Sequence, residues 1–191
     1  MEKQYFNDQT FDNCTLASIT VGVAEFENCC FNNCDFSNAS LNHFLLSDCT
    51  FNGCNLSSAT LIKTAVHNVH FNQCKMMGLH WSQCNPLLFK ANFTDCMLQY
   101  CSFYGAKLCG TQFTGCTLTE ADFTEADCSL ANFSGAGLAG ALFDNSNLEK
   151  ANFTYATHYS INPNLNKIKN ARFSLQGIAG LLHQYQLQIV Q

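Results

Sequence analysis

The residues of this chain that could act on a substrate or hold a metal are 13 cysteines, 6 histidines and 14 carboxylates. Converging thiolates would make a zinc centre, which needs four donors around one point at ~2.3 Å. A thiolate beside a histidine would make a nucleophile. Neither arrangement is spelled out. His67, His70 and His80 come closest to a histidine cluster, but each flanks an apolar position and is expected to point outward. The phosphate-cradling G-x-x-x-x-G-K-[ST] and the nucleophile-elbow G-x-S-x-G are both absent. The expectation is a chain that is not an enzyme and carries no metal or cofactor.

The spacing of the cysteines points to a different use. Cys14, Cys29, Cys34, Cys49, Cys54, Cys74, Cys96, Cys101 and Cys116 share a five-residue phase with alanines such as Ala24, Ala91, Ala121, Ala131 and Ala151. Two residues after each of these small positions stands a larger apolar residue. Every fifth residue from Phe6 through Val21 to Trp81 is apolar; the frame slips by two across Asn85-Pro86-Leu87, and the series resumes at Leu88 and runs to Phe153. Thiols in such a pattern are small packing groups. Stacked in parallel ~4.8 Å apart, they do not converge on a metal. Met1–Thr10 lacks a leader pattern, so reduced thiols and a cytoplasmic chain are expected. Cys30 and Cys109 fall outside the small phase, and Cys84 sits at the slip.

A period of five fits neither regular element. Five residues advance an α-helix by ~500°, so the stripe would drift around the axis. In a flat strand an odd period sends successive centres to opposite faces. The chain must therefore turn a corner every repeat. The number of sides follows from identity at twenty residues. Phe11, Phe31, Phe51 and Phe71 are spaced by twenty, and beyond the two-residue slip Phe93, Phe113, Phe133 and Phe153 continue the column. Like residues stacked every twenty imply four sides per coil, and the slip becomes a corner bulge that leaves the columns aligned.

The A/C-[DN]-[LF]-x-x pattern of Ala91-Asn92-Phe93-Thr94-Asp95, Ala121-Asp122-Phe123-Thr124-Glu125 and Ala151-Asn152-Phe153-Thr154-Tyr155 resembles the pentapeptide-repeat family. The resemblance covers Phe6 to Ala156. It implies an all-β solenoid, a right-handed quadrilateral β-helix of seven to eight coils at ~4.8 Å per coil. The expected division is 1–157 for the β-helix and 158–191 for a connector and a short C-terminal helical cap. Within the second part, Ser174–Gln186 carries a helical apolar stripe of Leu175, Ile178, Leu182 and Tyr185, flanked by Ala179 and Leu181. Ser174 reads as its N-cap, and Leu187–Val190 as a short strand. A terminal coil needs a cap. Two readings of the helix stand: it covers its own coil, or it also forms a homodimer through Leu175, Ile178, Leu181, Leu182 and Tyr185.

Gln176–Gln191, preceded by Ile161–Ile168, resembles the C-terminal module of the gyrase-protecting branch of that family, the quinolone-resistance (Qnr) proteins and the self-immunity proteins of microcin and albicidin producers. That resemblance implies a DNA-mimic rod that engages DNA gyrase or topoisomerase IV and counters quinolones or peptide toxins.

Charge is the other informative feature. Only 12% of residues are charged, about half the usual share. Between Gln4 and Thr157 there are 13 acids and 5 bases, whereas three bases and no acids follow. Glu120, Asp122, Glu125 and Asp127 lie within eight residues, and with Asp144 they read either as a strip for a basic partner groove or as solvating charge. An acidic chain is a poor direct binder of nucleic acid, and no apolar run approaches the ~18 residues of a membrane span. The competing reading is a structural or adaptor rod with an unrelated protein partner.

Overall fold

A computed structural model describes residues 3–20 and 22–188; Val21, in the apolar series, and residues 189–191, which include the end of the expected strand, lie outside it. The chain winds as a right-handed quadrilateral β-helix whose coils pair in parallel. We label the sides A to D in chain order, by the columns that begin at Phe6, Phe11, Leu16 and, on side D, Leu41. On side A the register runs Tyr5↔Glu25↔Leu45↔Ala65, and on side B it runs Phe11↔Phe31↔Phe51↔Phe71. The later coils continue as single bridged pairs, such as Ser102↔Asp122↔Leu142 on side D.

Each corner is a tight turn. At many corners the amide of the small residue donates back to the carbonyl of the preceding centre, as Ala121 does to Leu118 at 3.1 Å and Ala126 to Phe123 at 3.0 Å. In the strand-paired early coils, by contrast, Cys34 N–H donates to Cys54 Sγ at 3.3 Å. The third residue of such a turn takes a positive φ, which favours Gly and Asn. Asn13, Asn28, Asn33 and Asn38 hold it in the early coils, and Gly105, Gly110 and Gly115 in the middle. Small residues two places before each centre let the corner close against the core.

The side B rings stack face to face, from Phe11–Phe31 at 5.1 Å through Phe93–Phe113 at 5.2 Å to Phe133–Phe153 at 4.8 Å. The column crosses the bulge intact, with Phe71 and Phe93 paired and their rings 5.4 Å apart. Val66 pairs with Phe89, so the offset there is one residue larger than at Phe71. Phe89 rather than Leu88 therefore takes the inward position, its ring 5.9 Å from Trp81, and Leu88 is exposed. Apolarity at both positions hid the extra residue.

The coil ladder also continues beyond Thr157, where the expected boundary lies. Asn147 bridges Lys167, Asn152–Phe153 pairs with Arg172–Phe173, and the Phe153 and Phe173 rings stack at 5.1 Å. The expected connector is thus most of another coil, and the column holds nine phenylalanines. The repeat signal was hidden because Asn166 stands at the small site before Ile168, beside an Asn162-Pro163-Asn164 turn, although Ala171 and Phe173 keep the small-then-large spacing.

The thiols have a shared role. Cys29, Cys34, Cys49, Cys54 and Cys74 each donate to the carbonyl of the side A or B centre 23 residues earlier, at 3.3–3.6 Å. Thr64 and Ser146 occupy equivalent sites and donate in the same way to Leu41 and Phe123, both at 2.8 Å. The small site therefore accepts a weak donor as well as a methyl group. Burial pushes the Cys49, Cys84 and Cys101 thiols up to about 12. In a titration with a thiol-reactive disulfide, exposed Cys109 should react first and half-buried Cys14 and Cys30 slowly. The full 13 should appear only on unfolding; rapid reaction of all of them in the native protein would refute this packing.

Candidate functional site: an acidic edge and a capped rod end

The four-sided register places the acidic residues of the sixth and seventh coils around one edge. Glu120 stands at the corner between sides C and D, Asp122 and Asp144 on side D, Glu125 at the corner between D and A, and Asp127 on side A. They are not equivalent. Asp122 accepts from the Thr124 amide at 2.9 Å. Asp127 accepts from the Ser129 amide at 3.1 Å and from the Asn147 side chain at 2.9 Å. Both are half-buried and help to build their own coils, whereas Glu120, Glu125 and Asp144 are exposed.

Glu120 and Glu125 also hold positive φ, 53° and 60°. A side chain other than Gly, Asn or Asp costs roughly 1–2 kcal/mol there. Tyr104 lies beside them on side D, and a hydrogen bond to Glu125 raises its phenol above the ordinary value. Tyr100, Tyr104 and Leu142 are exposed around the carboxylates. Exposed aromatic residues such as these are enriched at protein interfaces. Sequence reading found the acids but missed these apolar neighbours, because they become adjacent only at a spacing of twenty residues.

At the C-terminal end the expected α-helix is instead two 3₁₀ stretches, Leu175–Leu181 and His183–Tyr185. Ser174 makes no side-chain cap; its Oγ accepts from the Tyr155 amide at 2.7 Å. Leu187 and Gln188 form no strand. The tighter helix brings Gly177 and Gly180 onto the ring of Tyr159, a residue that no sequence signal singled out. A Cβ on Gly177 would stand 2.3 Å from Tyr159 Oη, and one on Gly180 would stand 2.4 Å from the Tyr159 carbonyl oxygen. Tyr159 is buried between Phe153 at 5.9 Å and Phe173 at 5.6 Å, and closes the phenylalanine column.

The apolar stripe divides accordingly. Leu181 turns inward against the rod, and Leu182 is half-buried. Leu175 at 84%, Ile178 at 43% and Tyr185 at 53% remain exposed. The expected dimerisation set therefore loses Leu181 to the monomer's own core.

Among the described residues, no group of histidines, cysteines or acids has the geometry to hold a metal ion. Gly135-Ala136-Gly137-Leu138-Ala139-Gly140 does carry the G-x-G-x-x-G spacing of a dinucleotide loop. Its first and last glycines are coil corners at φ 69° and 68°. No strand-to-helix turn is present there to cradle phosphate.

The sequence matches a family model described as a pentapeptide repeat region, over residues 24–90 and 84–153. No curated protein matches it. Among solved structures, a trypsin-treated variant of QnrB1, a plasmid-mediated fluoroquinolone resistance protein, is similar at 16% identity. That match covers 98% of each chain with a TM-score of 0.64. HetL, involved in heterocyst differentiation regulation in the cyanobacterium Nostoc sp. strain PCC 7120, is similar at 21% identity. It covers 91% of this chain and 89% of its own, with a TM-score of 0.66.

Proposed function

As this chain belongs to the pentapeptide-repeat family, we propose that it is a non-enzymatic binding rod that engages DNA gyrase or topoisomerase IV and shields it from quinolones or peptide toxins. The observation that carries this reading is the exposed carboxylate edge of Glu120, Glu125 and Asp144 on a rod of stacked coils. Such an edge fits a groove built to neutralise the phosphates of duplex DNA. The exposed Leu175, Ile178 and Tyr185 supply the second part, a two-fold end-to-end homodimer. A dimer would present two acidic edges to a two-fold partner.

A gyrase supercoiling assay tests the reading. Supercoiling blocked by ciprofloxacin or by a peptide toxin should recover on adding micromolar protein. The triple variant Glu120→Gln, Glu125→Gln, Asp144→Asn should lose most of that effect while melting like the parent, because Asp122 and Asp127 still hold their turns. Neither inhibition nor rescue by the parent protein would sink the proposal. The adaptor reading would then take its place, in keeping with the equal likeness to HetL.

A further inference from the structure

Side A is the charged face of the rod, and its charges come in bands along the axis. The first three coils place Asp8, Glu25, Glu27 and Asp48 there, with Lys3 paired to Glu25. The fifth and sixth place Lys90 and Lys107. The next band is Asp127 and Glu149, followed by Lys150, Lys167 and Lys169 at the C-terminal end. Strand pairing sets the alignment: Tyr5↔Glu25 and Asn7↔Glu27 at one end, and Lys107↔Asp127↔Asn147↔Lys167 at the other. All of these charged side chains are exposed or half-exposed.

A face patterned in this way is complementary to itself only when one copy is inverted. Parallel, in-register packing sets every band against its own sign. Antiparallel packing about a two-fold axis between the fifth and sixth coils sets Glu25 and Glu27 opposite Lys167 and Lys169 of a second copy. It also sets Asp48 opposite Lys150, with Glu149 next to that lysine on the same coil. Lys90 and Lys107 then meet across the axis, a like-charge contact beside the exposed Leu87 and Leu88 of the bulge.

We propose that side A is a self-association surface on which a second copy of this chain docks antiparallel, side against side. It is separate from the cap and does not depend on the gyrase reading. The eight coils that overlap, the second to the ninth, at ~4.8 Å each and with a side roughly 15 Å wide give a contact of about 580 Å² per rod, below the ~800 Å² of a standard interface. The pairing is therefore weak and governed by salt.

Sedimentation equilibrium of the full chain tests it, in an Ile178→Asp background that removes the end-to-end contact. The mass should double at high protein concentration in about 0.02 M salt and fall to monomer in about 0.5 M, as the Debye length shrinks from ~20 Å to ~4 Å. Glu25→Lys with Glu27→Lys should abolish the pairing, and so should Lys167→Glu with Lys169→Glu. An equimolar mixture of these two variants should associate again, which a folding defect in either could not produce. Lys107→Glu alone should tighten the pairing severalfold by removing the like-charge contact. A mass independent of salt, or two variants that stay monomeric when mixed, would overturn the proposal.

Discussion

Phe113→Ala is expected to destabilise the rod more than any other single truncation of the side B column. Its ring lies between Phe93 at 5.2 Å and Phe133 at 5.0 Å, nearly parallel to both. It meets Phe103 and Phe123 edge-on at 5.4 and 5.6 Å. The backbone cannot close over the void, because strand pairing fixes each coil against its neighbours, with Phe113 N–H donating to Asn132 at 2.7 Å. Phenylalanine-to-alanine changes in cores cost about 3–5 kcal/mol. For a chain of this size each kcal/mol lowers the melting temperature by roughly 2–4 °C, so a fall of ~10 °C or more is expected by circular dichroism. Phe11→Ala, at the half-buried first coil, should cost less than half as much. Equal losses at the two sites would mean that the column is not the main source of cohesion.

Gly180→Ala should release the C-terminal cap while leaving the rod standing. The added methyl would sit 2.4 Å from the Tyr159 carbonyl oxygen and 2.7 Å from its ring. The Gly180 carbonyl also accepts the Ile161 amide at 2.9 Å, so the segment cannot shift without losing that bond. Overpacking of this kind costs typically ~1–3 kcal/mol. In a solenoid whose stability is a sum over neighbouring interfaces, the cost stays local. The expected signature is rapid proteolysis within 174–188, loss of any end-to-end dimer, and a main transition within a few degrees of the parent. Gly137→Ala is the control, since its Cβ meets nothing within 4 Å and its φ is not positive. A cap that resists protease as well in Gly180→Ala as in Gly137→Ala would refute the Tyr159 lock.

The two glycines illustrate where sequence reading fails. Propensity marks Gly177 and Gly180 as residues that weaken an α-helix, yet they permit a 3₁₀ turn to lie flat on an aromatic ring. Leu88 and Phe89 show another kind of failure. Both are apolar, and only the local pairing of Val66 with Phe89 decides which of them faces inward. The acids near Glu120 were visible as a run, but sequence could not tell that Asp122 and Asp127 are bound into turns while the side chains of Glu120, Glu125 and Asp144 are exposed.

The chain by itself determined the period, the four sides and the fate of the thiols. Those properties follow from which side chains can be buried at each fifth position, and burial leaves a periodic trace. Tertiary structure alone decided that the column runs on to Phe173, that Tyr159 closes it, and that charges twenty residues apart form bands on one side. Stacking turns a distance along the chain into a distance of one coil, so surface neighbours are made by the winding and leave no local pattern to read.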